Sequence, residues 1–135
     1  MNDRFRFRAW NKKEKIMYYD AEKTYDFLFG RPKAIPCDNF EGLLWDEDFV
    51  VEQCTGLKDK NGKLIYEDDI VRWSLCRGDK DICENYQIIW QDNCAAFGCL
   101  KSNGDILDMF SQPKLKAKVI GNIHENPDLL ESEER

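Results

Sequence analysis

The sequence predicts a mainly β protein with little helix. An N-terminal β-hairpin region would pack on a small β-barrel, and a short helix would end the chain. Charged and apolar residues alternate strictly from Arg4 to Trp10, and this period of two is typical of a strand. Further along, short apolar runs are separated by turn sequences such as Asn61-Gly62, which is the pattern of small barrels. The length of 135 residues is that of one domain with a real core.

The first hairpin is predicted from residues 4–10 and 15–19, with its turn at Asn11–Lys13. Because neighbouring side chains of a strand point to opposite faces, we expect Phe5 and Phe7 to face the core. The arginines between them would then form one outward row, namely Arg4, Arg6 and Arg8.

Residues 20–48 are expected to contain one strand and one helix. An aromatic-rich run at residues 24–29 predicts the strand, and the prolines at positions 32 and 36 exclude a continuing helix. Asp38 and Glu41 have the spacing of an N-cap and its reciprocating glutamate, so a helix is predicted over residues 39–45. Its inward side chains would be Phe40, Leu43 and Leu44.

The rest of the chain predicts strands joined by turns. Asn61-Gly62 favours a type I′ turn with positive φ at both positions. Loops are expected at residues 77–85 and 101–114, and Pro127 lies near the start of a short terminal helix. The predicted strands cover residues 49–54, 64–66, 70–73, 86–90, 95–100 and 118–124. The resulting regions are a hairpin-plus-helix region at 1–48, a barrel at 49–126 and an acidic helix or tail at 127–135.

Composition and charge narrow the possible classes of protein. The chain carries 20 basic and 26 acidic residues, a net charge of −6, which argues against a protein that coats nucleic acid. The N-terminus lacks the apolar segment of a secretory signal, and no apolar run approaches the roughly 20 residues of a membrane span. We therefore expect a soluble, cytoplasmic protein whose six cysteines are reduced thiols.

Candidate metal and catalytic groups have plainer structural interpretations. Cys94 and Cys99 alone have a spacing near that of zinc ligands, but they fall on a predicted hairpin. The carboxylates between Asp38 and Glu52 lack the spacing of a calcium loop and are interpreted as a solvated segment. His124, the single histidine, is interpreted as structural, with a Cys–His catalytic pair as the alternative. No metal, cofactor or catalytic residue is predicted, and we do not expect an enzyme.

Three segments resemble the motifs of one protein family. The residues from Thr55 to Val71 closely resemble the central signature of the YopX family, while 7–10 and 119–127 are similar to its opening and closing motifs. Asp68 departs from the family, which commonly has glycine there. The resemblance implies a phage or prophage protein with an SH3-like barrel and no established activity, cofactor or catalytic residue. The signature positions, interpreted as structural, are Gly56, Asn61, Gly62, Tyr66, Asp69, Gly121, Asn122 and Pro127.

The basic N-terminus is the one feature that points to an interaction. Residues 1–15 contain six basic and two acidic residues. A row of arginines along a strand can contact an acidic protein surface or successive phosphates, or it can be solvated or paired within the fold. The leading hypothesis is an accessory protein of a bacterial host's cytoplasm that binds a protein partner or itself. Nucleic-acid binding through the barrel and the basic strand is the alternative. The predicted surface consists of Arg4, Arg6, Arg8, Trp10, Lys12 and Lys13.

Overall fold

The computed structural model describes residues 2–23, 39–77, 80–108 and 117–131, and strands dominate them. The predicted mainly β class is therefore confirmed, whereas the SH3-like barrel stays a prediction. The chain divides into two compact units, Met1–Cys54 and Thr55–Arg135. This division falls within a strand, whereas the sequence placed the boundary ahead of Phe49. The predicted strand at residues 24–29 lies outside the described residues.

The first unit contains a small antiparallel sheet and one helix. Strands β1 (Phe7–Asn11) and β2 (Ile16–Tyr19) form the predicted hairpin, and β1 also pairs with β3 (Phe49–Lys58), which continues into the second unit. The predicted start of β1 at Arg4 is wrong, because Asp3–Phe5 form a 3-10 turn that the Asn2 side chain caps. Within this unit β1 lies between two other strands.

Helix α1 (Phe40–Trp45) begins one residue later than predicted. Its N-cap is Asn39, not Asp38, and the Asn39 carboxamide oxygen accepts a hydrogen bond of 2.6 Å from the Gly42 N–H. This bond satisfies one of the N–H groups that a helix start leaves unpaired. The core of the unit gathers around Ala9, Ala21 and Leu43, with the partly buried Phe7, Tyr18, Phe40, Phe49 and Val51 packed against it.

The second unit is built on a five-stranded antiparallel sheet. Its strands are β5 (Asp69–Arg77), β6 (Lys80–Gln91), β7 (Ala96–Lys101), β8 (Ile106–Asp108) and β9 (Ala117–Asn122), in the order β8-β7-β6-β5-β9. A short strand, β4 (Leu64–Tyr66), lies beside β3. A 3-10 turn, Pro127–Leu130, occupies the place of the predicted terminal helix. The main core cluster consists of Ile65, Val71, Trp73, Tyr86, Ile88, Cys99, Ala117 and Val119.

Two predicted loops are partly strand. The loop expected at 77–85 is wrong, because β5 and β6 stay paired out to Arg77 and Lys80. In the loop expected at 101–114, residues 106–108 pair with β7. Ladder hydrogen bonds join backbone groups, so a polar sequence continues a hairpin once its neighbours have fixed the register.

The turn after β3 is fixed by the Asp59 carboxylate. Its Oδ1 accepts hydrogen bonds from the N–H groups of Asn61 and Lys63, and its Oδ2 accepts one from Val119, each 2.9 Å long. Burial acts to raise the pKa of Asp59, but these hydrogen bonds and the Lys63 charge outweigh it and lower the pKa below the usual value of 3.8. Such a carboxylate stabilises the fold only while ionised.

The Asn61-Gly62 turn differs from the predicted type I′ geometry. Gly62 has a φ of +85°, whereas Asn61 is not among the residues with positive φ. The Gly62 N–H donates a hydrogen bond to the Asp59 carbonyl, and the Asp59 N–H donates one to the Lys63 carbonyl. This pattern is typical of a three-residue hairpin loop that ends in a left-handed glycine. Asp68 has a φ of +67°, which explains why glycine suits that position in the family.

Candidate interaction surface

The predicted row of three outward arginines does not form. Arg4 and Arg6 are exposed, but Arg8 is only 2% exposed. Phe5, predicted to face the core, is 50% exposed because it belongs to the 3-10 turn and not to β1. The alternation fails because Arg8, Ala9, Trp10 and Asn11 are all buried; with both faces of a strand covered, side-chain direction no longer separates core from solvent.

Arg8 is instead half of a buried ion pair. It lies directly opposite Glu52 in the β1–β3 register, and its Nε donates a hydrogen bond of 2.7 Å to Glu52 Oε1. The Glu52 side chain is 1% exposed. Opposite charges facing each other across two strands stabilise the pairing, and burial makes each charge dependent on its partner. Arg8 is therefore structural, and its predicted place on the interaction surface is wrong.

Trp10 is also removed from that surface, because it is 5% exposed. Lys12 and Lys13 are exposed in the turn between β1 and β2. The Asn11 carboxamide oxygen accepts hydrogen bonds of 3.0 Å from the N–H groups of Lys13 and Glu14. The remaining exposed cations of this end of the chain are Arg4, Arg6, Lys12, Lys13 and Lys15, which we call the basic set.

The side chain of Trp45 is the most exposed large apolar group of the described residues. Trp45 is 81% exposed and its neighbour Leu44 is 55% exposed, whereas Leu43 is fully buried. Phe40 and Leu43 are three residues apart and share the inner face of α1, where Phe40 packs against the Phe7 ring at 5.0 Å. The prediction that Leu44 faces inward is wrong, because a six-residue helix buries only this narrow face.

The outer face of α1 is acidic as well as apolar. Glu41 precedes Trp45 by four residues, so both lie on the same side of the helix. Glu47 follows in an exposed turn. We call Glu41, Leu44, Trp45 and Glu47 the Trp45 surface. No lysine or arginine occurs from residue 39 to residue 52, so the segment that carries the exposed indole is acidic.

The loop after α1 brings this acidic segment against the basic turn. The Lys12 N–H donates to the Asp48 carbonyl at 2.8 Å, and Lys13 Nζ lies 3.3 Å from Asp48 Oδ2. Asp48 is itself held by a hydrogen bond from its N–H to Asp46 Oδ1. Regions of opposite charge therefore adjoin each other within the first unit.

A polar cleft of about 240 Å³ lies in the second unit. Its walls include Arg72, Glu84, Asn85, Lys101 and the 3-10 turn at Leu129. The cations in it already have partners: Arg72 Nε donates to Asn85 Oδ1, and Lys101 Nζ lies 2.8 Å from Glu84 Oε1. Burial and the Glu84 carboxylate, which accepts from the phenol, raise the pKa of Tyr86 to about 12. With its lysine ion-paired and its arginine hydrogen-bonded to a carboxamide, this cleft is a weaker candidate site than the Trp45 surface.

The cysteines and the histidine are the groups that a zinc site or a Cys–His catalytic pair would use. Cys54 and Cys99 are buried, Cys83 and Cys94 are exposed, and these four cysteines are not in disulfides. Burial raises the pKa of Cys99 to about 12, so this sulfur is a poor nucleophile at neutral pH. His124 follows β9 and does not end it, and its N–H donates to Asn122 Oδ1. Cys37 lies outside the described residues.

The closing signature forms a compact turn. The Asn122 carboxamide oxygen accepts from the N–H groups of His124 and Glu125, and its amide donates to Glu125 Oε1. A Cβ at Gly121 would lie 2.7 Å from Asn126 Cγ, so only glycine fits there without movement. In the central signature, the Tyr66 N–H donates to Asp69 Oδ2 at 2.8 Å, Gly56 has a φ of +86°, and Pro127 begins the 3-10 turn. These positions hold backbone geometry.

The two antiparallel sheets define a small, mainly β protein. Its most exposed apolar feature is the Trp45 surface, which has acidic residues beside it. Residues 6–131 match the YopX protein family, and the chain belongs to that family. Protein EF1440 from Enterococcus faecalis has a similar crystal structure, with a TM-score of 0.61 and 30% identity over 93% of this chain and 97% of that one. YopX from Bacillus subtilis matches 99% of this chain and 100% of its own at 18% identity, with a TM-score of 0.55.

No similar sequence was found among the curated proteins compared. The family match and the fold of these relatives confirm the resemblance that the three motifs indicated. Among the described residues, no helix is long and apolar enough to cross a membrane.

Proposed function

We propose that this protein is a non-enzymatic accessory protein of phage or prophage origin that acts in the bacterial cytoplasm by binding a protein through the Trp45 surface. The observation that carries the proposal is an indole left 81% exposed on a helix whose inner face is well buried. Tryptophan is highly buried on average and is enriched at the energetic centres of protein interfaces.

The gain available from covering this surface is large for a single side chain. Tryptophan buries about 150–250 Å² when it is enclosed. At roughly 25 cal/mol per Å² of apolar area, covering most of the indole would contribute about 3–5 kcal/mol before the costs of association. The neighbouring Leu44, which is 55% exposed, adds further apolar area. The acidic rim supplies selectivity, because an acidic patch on a partner would be repelled there.

Binding of nucleic acid has less support than binding of a protein. Arg8 is buried against Glu52, so the row that would follow a phosphate backbone is broken. Arg6 Nε lies 3.2 Å from Asp3 Oδ1, and Lys13 faces Asp48. These carboxylates would have to be displaced or left close to phosphate, which weakens the electrostatic gain.

The proposal is tested by capture of partners on immobilised protein. Trp45→Ala should lose the bound protein that wild type retains, since truncation of a central interface tryptophan costs roughly 2 kcal/mol or more. The matched control is Ile106→Ala, which removes a 49% exposed apolar side chain from the second unit. Equal capture by wild type and Trp45→Ala would refute the proposal, as would equal loss from both variants.

A further inference from the structure

We infer that the protein bound by the Trp45 surface is a second copy of this chain. A two-fold axis would relate the copies, so that the Trp45 surface of each copy contacts the basic set of the other. This inference rests on the proposed function, because it names the partner of the same surface. It commits to a closed dimer in which both copies use the same residues.

Two-fold dimers need a self-complementary surface: if one residue contacts a second, the second must contact the first on the other copy. The first unit satisfies this condition. Four carboxylates lie at residues 41–48, namely Glu41, Asp46, Glu47 and Asp48. Of the basic set, Lys12, Lys13 and Lys15 lie in the turn that contacts this segment, whereas Arg4 and Arg6 precede β1 at its other end. Because Lys13 already pairs with Asp48, the charges offered to a second copy are chiefly Lys12 and Lys15 on the turn and Glu41 and Glu47 on the Trp45 surface.

The two sets also adjoin, which is what a two-fold arrangement requires. The contacts of Lys12 and Lys13 with Asp48 hold the basic turn against the end of the acidic segment. A two-fold axis close to this junction would place the acidic segment of each copy over the basic turn of the other. The dimer would therefore contain this contact two times. The exposed Trp45 and Leu44 would then be covered near the centre, with charged pairs at the rim.

A foreign basic protein would satisfy only half of this pattern. It would neutralise the Trp45 surface but would be repelled by the adjoining lysines. A second copy presents lysines to the Trp45 surface and carboxylates to the adjoining lysines. The charge pairs are exposed and will be screened by salt, so the dimer should weaken as ionic strength rises.

The test is sedimentation equilibrium of wild type, Glu47→Lys, Lys12→Glu and the double variant. Both residues are exposed turn positions, so folding should be kept, and circular dichroism checks this. Wild type should dimerise, and each single reversal should weaken the dimer at least tenfold. The double variant should restore it, and so should an equimolar mixture of the two single variants, because every reversed residue again meets its opposite. Lys118→Glu, an exposed reversal on β9, should dimerise like wild type.

Each contrary result has a definite meaning. A wild type that stays monomeric up to about 0.1 mM, where a micromolar affinity would show, overturns the two-copy inference. Trp45-dependent capture of another protein would then still support the proposed function. Single reversals that are not rescued by combination would show that the two charged sets do not face each other, which also overturns the inference. Loss of dimer in Lys118→Glu would overturn it as well, by placing the contact in the second unit.

Discussion

Removing either partner of the buried Arg8–Glu52 pair should destabilise the protein severely. The two side chains are 2% and 1% exposed and are joined at 2.7 Å. Arg8→Gln would remove the guanidinium that faces the Glu52 carboxylate at a site that water hardly reaches. Breaking a buried pair in this way costs about 3–5 kcal/mol, which is a large part of a small domain's stability.

The measurement is urea denaturation followed by circular dichroism, with Glu52→Gln as the reciprocal variant. Arg6→Gln is the matched control, because Arg6 pairs with Asp3 at 45% and 35% side-chain exposure and such pairs contribute about 0–1 kcal/mol. The double variant Arg8→Met/Glu52→Leu should lose less than the sum of the single variants, since neither charge is then left alone. If Arg8→Gln costs no more than Arg6→Gln, the interpretation of the pair is refuted.

Three further predictions concern the second unit. Asp59→Asn should lower the free energy of unfolding by about 1.5–3 kcal/mol at neutral pH. Because the pKa of Asp59 in wild type is lowered from 3.8, wild type should lose this stability as the pH falls below about 4. The unfolding free energy of the variant should vary less over that pH range. Gly62→Val should lower the unfolding free energy by roughly 1–3 kcal/mol, because φ is +85° in otherwise open space; an unchanged urea midpoint would contradict this. Iodoacetamide should label Cys83 and Cys94 in native protein well before Cys99, by peptide mass, and all six cysteines after denaturation; early labelling of Cys99 would show that it is not buried.

The sequence predicted the class, the first hairpin and the family, because these depend on local patterns. Asn-Gly and Pro punctuate the chain, and the alternation over residues 4–10 indicates the strand that forms β1 without any knowledge of tertiary packing. The family motifs were visible because they hold backbone geometry, as Asn122 and Gly121 do in the closing turn.

The interaction surface could not be predicted in the same way, since it depends on which faces are covered. The alternation in β1 indicates two faces of a strand, but it does not indicate that both faces are buried. Glu52, an acidic residue next to the apolar Val50 and Val51, was the available signal for a buried cation opposite. The exposure of Trp45 follows from the narrow inner face of α1, which only the packing of Leu43 and Phe40 reveals.

The most direct test of the proposed Trp45 surface is site-specific photo-cross-linking in the bacterial cell. A photoreactive phenylalanine derivative would replace Trp45 in one variant and Ile106 in the other. The account predicts a discrete adduct from position 45, at twice the 15.9 kDa of the chain if the partner is a second copy, and little from position 106. Equal cross-linking from both positions, or none from position 45, would contradict it.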